Sequence, residues 1–115
     1  MIQPGTHNVV CYQGATFDLN FTMKLAGTAI DLTGYTARMQ VRESTESSDA
    51  VLSLATGGSG ITLGGTAGSI ATTAAATATA AITPGYYVYD MELVSGSVVT
   101  RILQGGFRVI PEVTR

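Results

Sequence analysis

Cysteine, histidine, tryptophan and charged side chains are all scarce in this chain of 115 residues. The single cysteine, Cys11, excludes a disulfide within the chain and any zinc site built from several cysteines, and it leaves the compartment open. Cys11 lies between Val10 and Tyr12 in an apolar run, with no neighbour in sequence that would activate it. We therefore expect a buried, unreactive thiol rather than a nucleophile.

Only 12% of the residues are charged, and six basic against eight acidic side chains give a net charge of −2. The basic residues are too scattered to form the patch that binds nucleic acid or an anionic membrane. No apolar run approaches the roughly 20 residues that cross a bilayer, and the first residues do not resemble an export signal. We expect neither a nucleic-acid nor a membrane partner. The basic residues are Lys24, Arg38, Arg42, Arg101, Arg108 and Arg115.

Residues for catalysis are equally hard to find, since a nucleophile needs an oriented base beside it. The one histidine, His7, is predicted to be a surface residue at the start of the first strand. The run 57–60 (Gly-Gly-Ser-Gly) has neither the context of a nucleophile elbow nor the lysine of a phosphate-binding loop. The sequence therefore predicts no catalytic residue, no cofactor and no enzyme.

What the sequence does contain is alternation of apolar and polar residues, the pattern of half-buried strands. It runs over 17–25, 35–42 and 86–94, with turn-forming residues at 26–28 and 31–34 between the first two. A chain of this size has room for one core, so we predict a single domain over 1–115. The predicted inward side chains are Phe17, Leu19, Phe21, Met23, Leu25, Tyr35, Ala37, Met39, Val41, Tyr87, Tyr89, Met91 and Leu93.

Shorter strands are predicted at 8–12, 51–55, 61–63 and 69–73. Ser95-Gly96 predicts a hairpin into a strand at 97–103, and Gly105-Gly106 predicts a bulge or a close approach of another backbone. The alternating Ala and Thr of 73–82 predict a single helical turn or a loop that plugs one end of the core. Seven to eight short strands with at most one helical turn indicate an all-β antiparallel sandwich.

Two groups of side chains were weighed as binding sites. Asp90 and Glu92 project from one face of a strand and could begin a calcium or acid–base site, but an ion pair with Arg101 or a solvated edge is the simpler interpretation. Tyr86, Tyr87 and Tyr89 could bind a sugar. We instead predict that Tyr87 and Tyr89 pack in the core and that Tyr86 lies on the other face. No metal site is predicted.

Five residue runs form a recognisable layout: a Gly-x-Thr-Phe strand, Asp-Leu-Thr-Gly, a late Gly-x-Tyr-x-Tyr-Asp strand and a glycine-broken last strand. The runs are Gly14–Phe17, Asp31–Arg42, Pro84–Leu93, Arg101–Phe107 and Pro111–Arg115. They resemble small proteins of tailed bacteriophages and prophages, and the layout is similar to the immunoglobulin-like N-terminal domain of phage baseplate upper proteins. The resemblance spans nearly the whole chain.

This resemblance implies an immunoglobulin-like sandwich and a structural protein of the virion, made in the bacterial cytoplasm. Its expected partners are other virion proteins and copies of itself. A tail, baseplate or head–tail component is the first expectation; a capsid decoration protein or a carbohydrate- or receptor-binding module is the alternative. Candidate contact segments are Met1–Gly5, Gly57–Gly68 and Pro111–Arg115, because short unstructured stretches can order on a partner by adding a strand.

Overall fold

The computed structural model describes residues 5–57 and 60–114, which form eleven strands, one short helix and a 3₁₀ turn over Gly65–Ala67. Among them no helix has the length and apolar composition needed to cross a membrane. The elements are β1 (Gly5–Thr6), β2 (Val9–Tyr12), β3 (Phe17–Thr22), β4 (Lys24–Leu25), β5 (Thr28–Ala29), β6 (Thr36–Arg42), β7 (Leu52–Ala55), β8 (Ile61–Leu63), β9 (Ser69–Ala74), α1 (Ala76–Ala80), β10 (Gly85–Ser95) and β11 (Val98–Ile110).

The strands form a two-layer sandwich, as predicted. One layer is a six-stranded sheet in the order β1-β11-β10-β6-β7, in which β2 also pairs with β11; the other is β3-β9-β8. A small hairpin, β4-β5, stands apart from both. With β6, β10 and β11 in one sheet and β3, β9 and β8 in the other, the order is that of an immunoglobulin-type sandwich. The prediction of an all-β sandwich is confirmed.

One departure from an antiparallel sandwich lies at the start of the chain. Both β1 and β2 pair parallel to β11, with Gly5 beside Leu103 and Val9 beside Phe107. The six-stranded sheet is therefore mixed. Eight of the strands in the described residues match the seven to eight predicted, and the others are the two-residue strands β1, β4 and β5.

The core lies between the two sheets and is centred on three aromatic rings. Phe17 of β3 meets Phe107 of β11 edge-on, with 5.3 Å between ring centroids, and Tyr89 of β10 meets the same ring at 6.2 Å. Edge-to-face contacts of this kind stabilise beyond the area they bury. The predicted inward positions that are buried in the structure are Phe17, Ala37, Met39, Val41, Tyr87, Tyr89, Met91 and Leu93.

Tyr35 was predicted to face inward and does not. Its side chain is 36% exposed, and its amide donates to the carbonyl of Leu32, so it still belongs to the turn that precedes β6. Leu32 fills the core at this point and is 1% exposed. The turn itself forms as predicted: Asp31 accepts a hydrogen bond from the amide of Thr33, and Gly34 has a φ of +84°.

The predicted strand over 17–25 is broken at Met23. The amide of Met23 donates to Gly68 and its carbonyl accepts from Ile30, so the chain leaves β3 and enters the β4-β5 hairpin. Leu19, Phe21 and Met23 point toward the core as predicted, but they are only half-buried. The predicted inward position of Leu25 lies outside the described side chains.

Gly105 and Gly106 do not interrupt the sheet, so the predicted bulge is wrong. Tyr89 pairs with Gly105 without a break, and the irregularity lies instead where Met91 pairs with Leu103 but Glu92 pairs with Arg101. The close backbone approach is confirmed, because a Cβ on Gly105 would lie 2.3 Å from the carbonyl oxygen of His7.

The hairpin between β10 and β11 turns one residue later than expected. Ser95 still pairs with Val98, so the two-residue loop is Gly96-Ser97 rather than Ser95-Gly96. Gly96 has a φ of +59° and Ser97 has no positive φ, the combination that a type II′ hairpin turn requires. The prediction of a tight two-residue hairpin is otherwise confirmed.

The corner between β9 and β10 holds the predicted helical turn, α1. Thr79 on this turn is fully buried; its hydroxyl accepts from the amide of Gly14 and donates to the carbonyl of Ala15 at 2.8 Å. At the start of β10, the hydroxyl of Tyr87 donates to the carbonyl of Thr83 at 2.5 Å. Such a tyrosine corner is a hallmark of immunoglobulin-type sandwiches.

Candidate interaction surfaces

The residues considered for catalysis lie in different environments. The side chain of His7 is exposed in the bend between β1 and β2. Cys11 is 1% exposed, and burial raises the pKa of its thiol, which keeps it protonated and unreactive at neutral pH. Among residues 5–57 and 60–114 no three His, Cys, Asp or Glu side chains are grouped in a way that could hold a metal ion.

The outer face of the six-stranded sheet carries a network of charged side chains. Asp90 pairs with Arg101 across the hairpin at 3.4 Å, the ion pair predicted from sequence. Glu92 pairs at 2.8 Å with Arg38, which lies directly opposite it on β6. The second pair escaped prediction, because nothing in the sequence shows that β6 lies beside β10. Both carboxylates thus already have cationic partners.

A shallow depression of about 590 Å³ lies in the middle of this face. Val88 lines it, and Gly106, which has no side chain, lies directly opposite Val88 in the sheet. On the β6 side, Arg42 donates to Gln40 at 2.7 Å and to the carbonyl of Ser47 at 3.0 Å. Several side chains around the depression are thus paired with one another, Arg42 with Gln40 and Asp90 with Arg101.

At one end of the same face, apolar and aromatic side chains are exposed. Tyr86 is 77% exposed and Tyr12 61%, and Val10 and Val88 are also exposed. The guanidinium of Arg108 lies 5.2 Å from the ring centroid of Tyr86. Val10, Arg108 and Tyr86 occupy one row across three strands. We call these five residues the aromatic strip.

Charge is unevenly divided between this face and the rest of the molecule. Of the described residues, the outer face carries four of the five basic ones, Arg38, Arg42, Arg101 and Arg108, but only two of the eight acidic ones. The remaining surface is therefore acidic. The sequence suggested no such division, because it appears only when β6 and β11 are placed in one sheet.

The segments predicted to contact partners have different surroundings. Within Met1–Gly5, only Gly5 belongs to the described residues, where it pairs with β11. Gly57–Gly68, apart from residues 58 and 59, contains the strand predicted at 61–63, as β8, and also the 3₁₀ turn; a Cβ on Gly68 would lie 2.7 Å from the carbonyl oxygen of Met23. In Pro111–Arg115, which is described up to residue 114, the amide of Glu112 donates to the side chain of Gln13.

The three-stranded sheet ends at β3, whose outer side has no partner strand within the described part of the chain. We call this side the open edge. An unpaired edge exposes backbone donors and acceptors that another strand can use. No protein-family model matches the chain, and a search of curated proteins found no relative.

Proposed function

We propose that this chain is a non-enzymatic structural protein of a bacteriophage particle that works by contacts with other virion proteins and with copies of itself. A tail, baseplate or head–tail position is the first candidate, and decoration of the capsid is the alternative. The layout shared with the immunoglobulin-like domain of baseplate upper proteins supports the phage setting. The aromatic strip is the observation on which the contact function rests.

The composition of the strip favours a protein partner. Tyrosine and arginine are enriched at protein interfaces, where a large ring buries apolar area at low entropic cost and arginine adds directed hydrogen bonds. Tyr86 and Tyr12 supply the rings, and Val88 of the strip lines the same depression as the ion-paired Asp90 and Glu92. An apolar centre with a polar border is the common anatomy of an interface.

A glycan-binding module is the competing function, since a sugar stacks on an exposed aromatic face. The guanidinium of Arg108 already lies over the ring of Tyr86, so one face of that ring is occupied. The chain contains no tryptophan. These two observations favour the protein contact over the sugar.

The test is incorporation into particles. Phage particles purified from a strain that carries the gene are separated on a density gradient, and the chain is quantified by mass spectrometry. We compare the parent, the double variant Tyr12→Ser/Tyr86→Ser and the control Val98→Ser, which replaces an equally exposed apolar residue at the hairpin end of β11. We expect the double variant to be incorporated at least about tenfold less, as for loss of an interface hot spot, and the control to match the parent.

Absence of the parent chain from purified particles would contradict the virion role. Normal incorporation of the double variant would contradict the aromatic strip as the contact. Specific binding of the isolated chain to a glycan array, lost in Tyr86→Ser, would favour the carbohydrate-binding function instead.

A further inference from the structure

The three-stranded sheet is one strand short of the layer found in many sandwiches of this type. In immunoglobulin constant-type domains the first strand lies beside the second, giving four strands in that layer. Here β1 and β2 both pair with β11 in the other sheet, and no strand in residues 5–57 or 60–114 pairs with the outer side of β3. The place beside β3 is open to an additional strand.

The hydrogen bonds of the sheet show which backbone groups face this place. The amide of Met23 donates to Gly68, and on the far side of β9 the amide of Thr73 donates to Gly60. Backbone groups alternate in direction along an antiparallel strand, so Phe17, Leu19 and Phe21 bond to β9. The amides and carbonyls of Asp18, Asn20 and Thr22 therefore point out from the open edge.

The side chains along the open edge are also incompletely covered. Leu19, Phe21 and Met23 pack against the core but are only half-buried, whereas Phe17 is 6% exposed. The edge of β3 is weakly protected: it contains no proline and no lysine, its pairing with β9 is regular, and its one charged side chain is Asp18. A strand added here would gain hydrogen bonds and cover apolar surface together.

We infer that the added strand is β3 of a second copy, paired antiparallel across a two-fold axis that passes through Asn20. In this register Asn20 faces Asn20 of the second copy, Asp18 faces Thr22, and Leu19 faces Phe21. Each of the three pairs with outward backbone groups forms two bonds, about six in all. No like charges stand opposite each other, and the half-buried Leu19 and Phe21 cover one another on both sides of the axis.

Neighbouring registers of the same antiparallel pairing match fewer backbone groups or mismatch the side chains. A shift by one residue would place inward side chains opposite outward ones, which a pleated sheet does not allow. A shift by two residues in either direction keeps only two of the three hydrogen-bonded pairs within Phe17–Thr22. The self-complementary register is what favours a second copy over an unrelated strand, because a two-fold contact requires one surface to fit itself.

This inference rests on the part of the proposed function that gives the chain contacts with its own copies. If β3 did not pair with a second copy, the result of the particle experiment would not change, since that experiment probes the aromatic strip on the opposite sheet. Self-pairing is measured on the isolated chain, and incorporation is measured in particles. The two results are therefore distinguishable.

The experiment reverses charge at the axis. Sedimentation equilibrium is run on the parent, on Asn20→Lys, on Asn20→Asp and on a mixture of these two variants. Like charges directly opposite each other destabilise a strand pair, and opposite charges stabilise it. We expect the parent to dimerise, each variant alone to have a dissociation constant about tenfold higher, and the mixture to recover dimers that contain one copy of each.

Ala71→Lys is the matched control. Ala71 lies directly opposite Asn20 on β9, on the same exposed face and one strand away from the open edge. A lysine at position 71 therefore adds the same charge as Asn20→Lys but does not lie opposite the same residue of the second copy. We expect it to dimerise like the parent. Circular dichroism establishes that all variants are folded.

A parent that remains monomeric at concentrations on the order of 100 μM would overturn the inference, as would a dimer that Asn20→Lys does not weaken. Failure of the mixture to dimerise while the parent does would also overturn it, because the contact would then not pass through Asn20.

Discussion

The hydroxyl of Tyr89 donates a 2.6 Å hydrogen bond to the main-chain carbonyl of His7. The bond joins β10 to the bend between β1 and β2, where the absent side chain of Gly105 leaves room for the chain. Tyr89 is 4% exposed, and burial raises the pKa of its phenol to about 12 from an ordinary value of 10.0. This neutral phenol thus adds a hydrogen bond to those by which β1 and β2 pair with β11.

The first prediction follows from this pKa. The unfolded phenol loses its proton near pH 10 while the folded one keeps it until about pH 12, so the stabilisation is complete below pH 10 and is lost as the pH rises toward 12. We expect the free energy of unfolding, measured by urea titration, to fall over this range. Tyr89→Phe should be about 1 kcal/mol less stable at neutral pH and should show a shallower fall.

Burial also raises the pKa of Tyr87, so ionisation of Tyr87 lowers the stability of the fold at high pH as well. The free energy of unfolding of Tyr89→Phe should therefore still fall somewhat as the pH rises. A decline as steep in Tyr89→Phe as in the parent would contradict the assignment to Tyr89.

The second prediction concerns the two adjacent glycines of β11. Gly105→Ala would place a Cβ against the backbone of His7, which can move only if β1 and β2 shift, so we expect a loss of about 1–3 kcal/mol. Gly106→Ala is the control: its nearest neighbour would be the Asn8 side chain at 3.5 Å, an ordinary contact. Equal melting temperatures for the two variants would contradict the close approach at Gly105.

The third prediction compares two fully buried threonines. Thr79→Val removes a hydroxyl that bonds Gly14 and Ala15, leaving an amide and a carbonyl without their partner, and should cost about 1–3 kcal/mol. Thr72→Val removes a buried hydroxyl that has no hydrogen-bond partner, so it should be neutral or stabilising. Chemical denaturation measures both. A stable Thr79→Val variant would show that α1 does not depend on this hydroxyl.

The fourth prediction concerns the reactivity of Cys11. Since the side chain is 1% exposed and burial raises the pKa of the thiol, iodoacetamide should modify it only through unfolding. Alkylation followed by mass spectrometry should be slow in buffer and rapid in guanidinium chloride. Rapid modification of the folded chain would mean that the start of β2 opens far more often than the rest of the sheet.

Alternation predicted the local structure well, because it depends on which face of a strand meets the core. It placed Tyr87, Tyr89 and Met91 inward and Tyr86 outward, as the structure has them. It failed at Tyr35, since a period of two does not show where the preceding turn ends. The turn-forming residues predicted a turn at 31–34, but the hydrogen bond from the amide of Tyr35 to the carbonyl of Leu32 extends the turn by one residue.

Strand partners could not be predicted, because pairing depends on residues that are far apart in sequence. The ion pair of Asp90 with Arg101 lies within a hairpin and was predicted; that of Glu92 with Arg38 joins two strands separated by three strands, a 3₁₀ turn and a helix, and was not predicted. The aromatic strip was missed for the same reason, since Val10 reaches Tyr86 only through β11. The open edge appeared only once β2 was known to pair with β11.

The parallel pairing of β2 with β11 also sets an order of events during synthesis. The side chain of Gln13, the residue after β2, accepts its hydrogen bond from an amide 99 residues further along the chain, and in the described residues β2 has no partner strand until β11 has been synthesised. Contacts over such distances are slow to form, because a long loop must close first. Until then β2 is unpaired, whereas β3 already has β9 as a partner, so a nascent chain next to another copy exposes β2 to incorrect pairing.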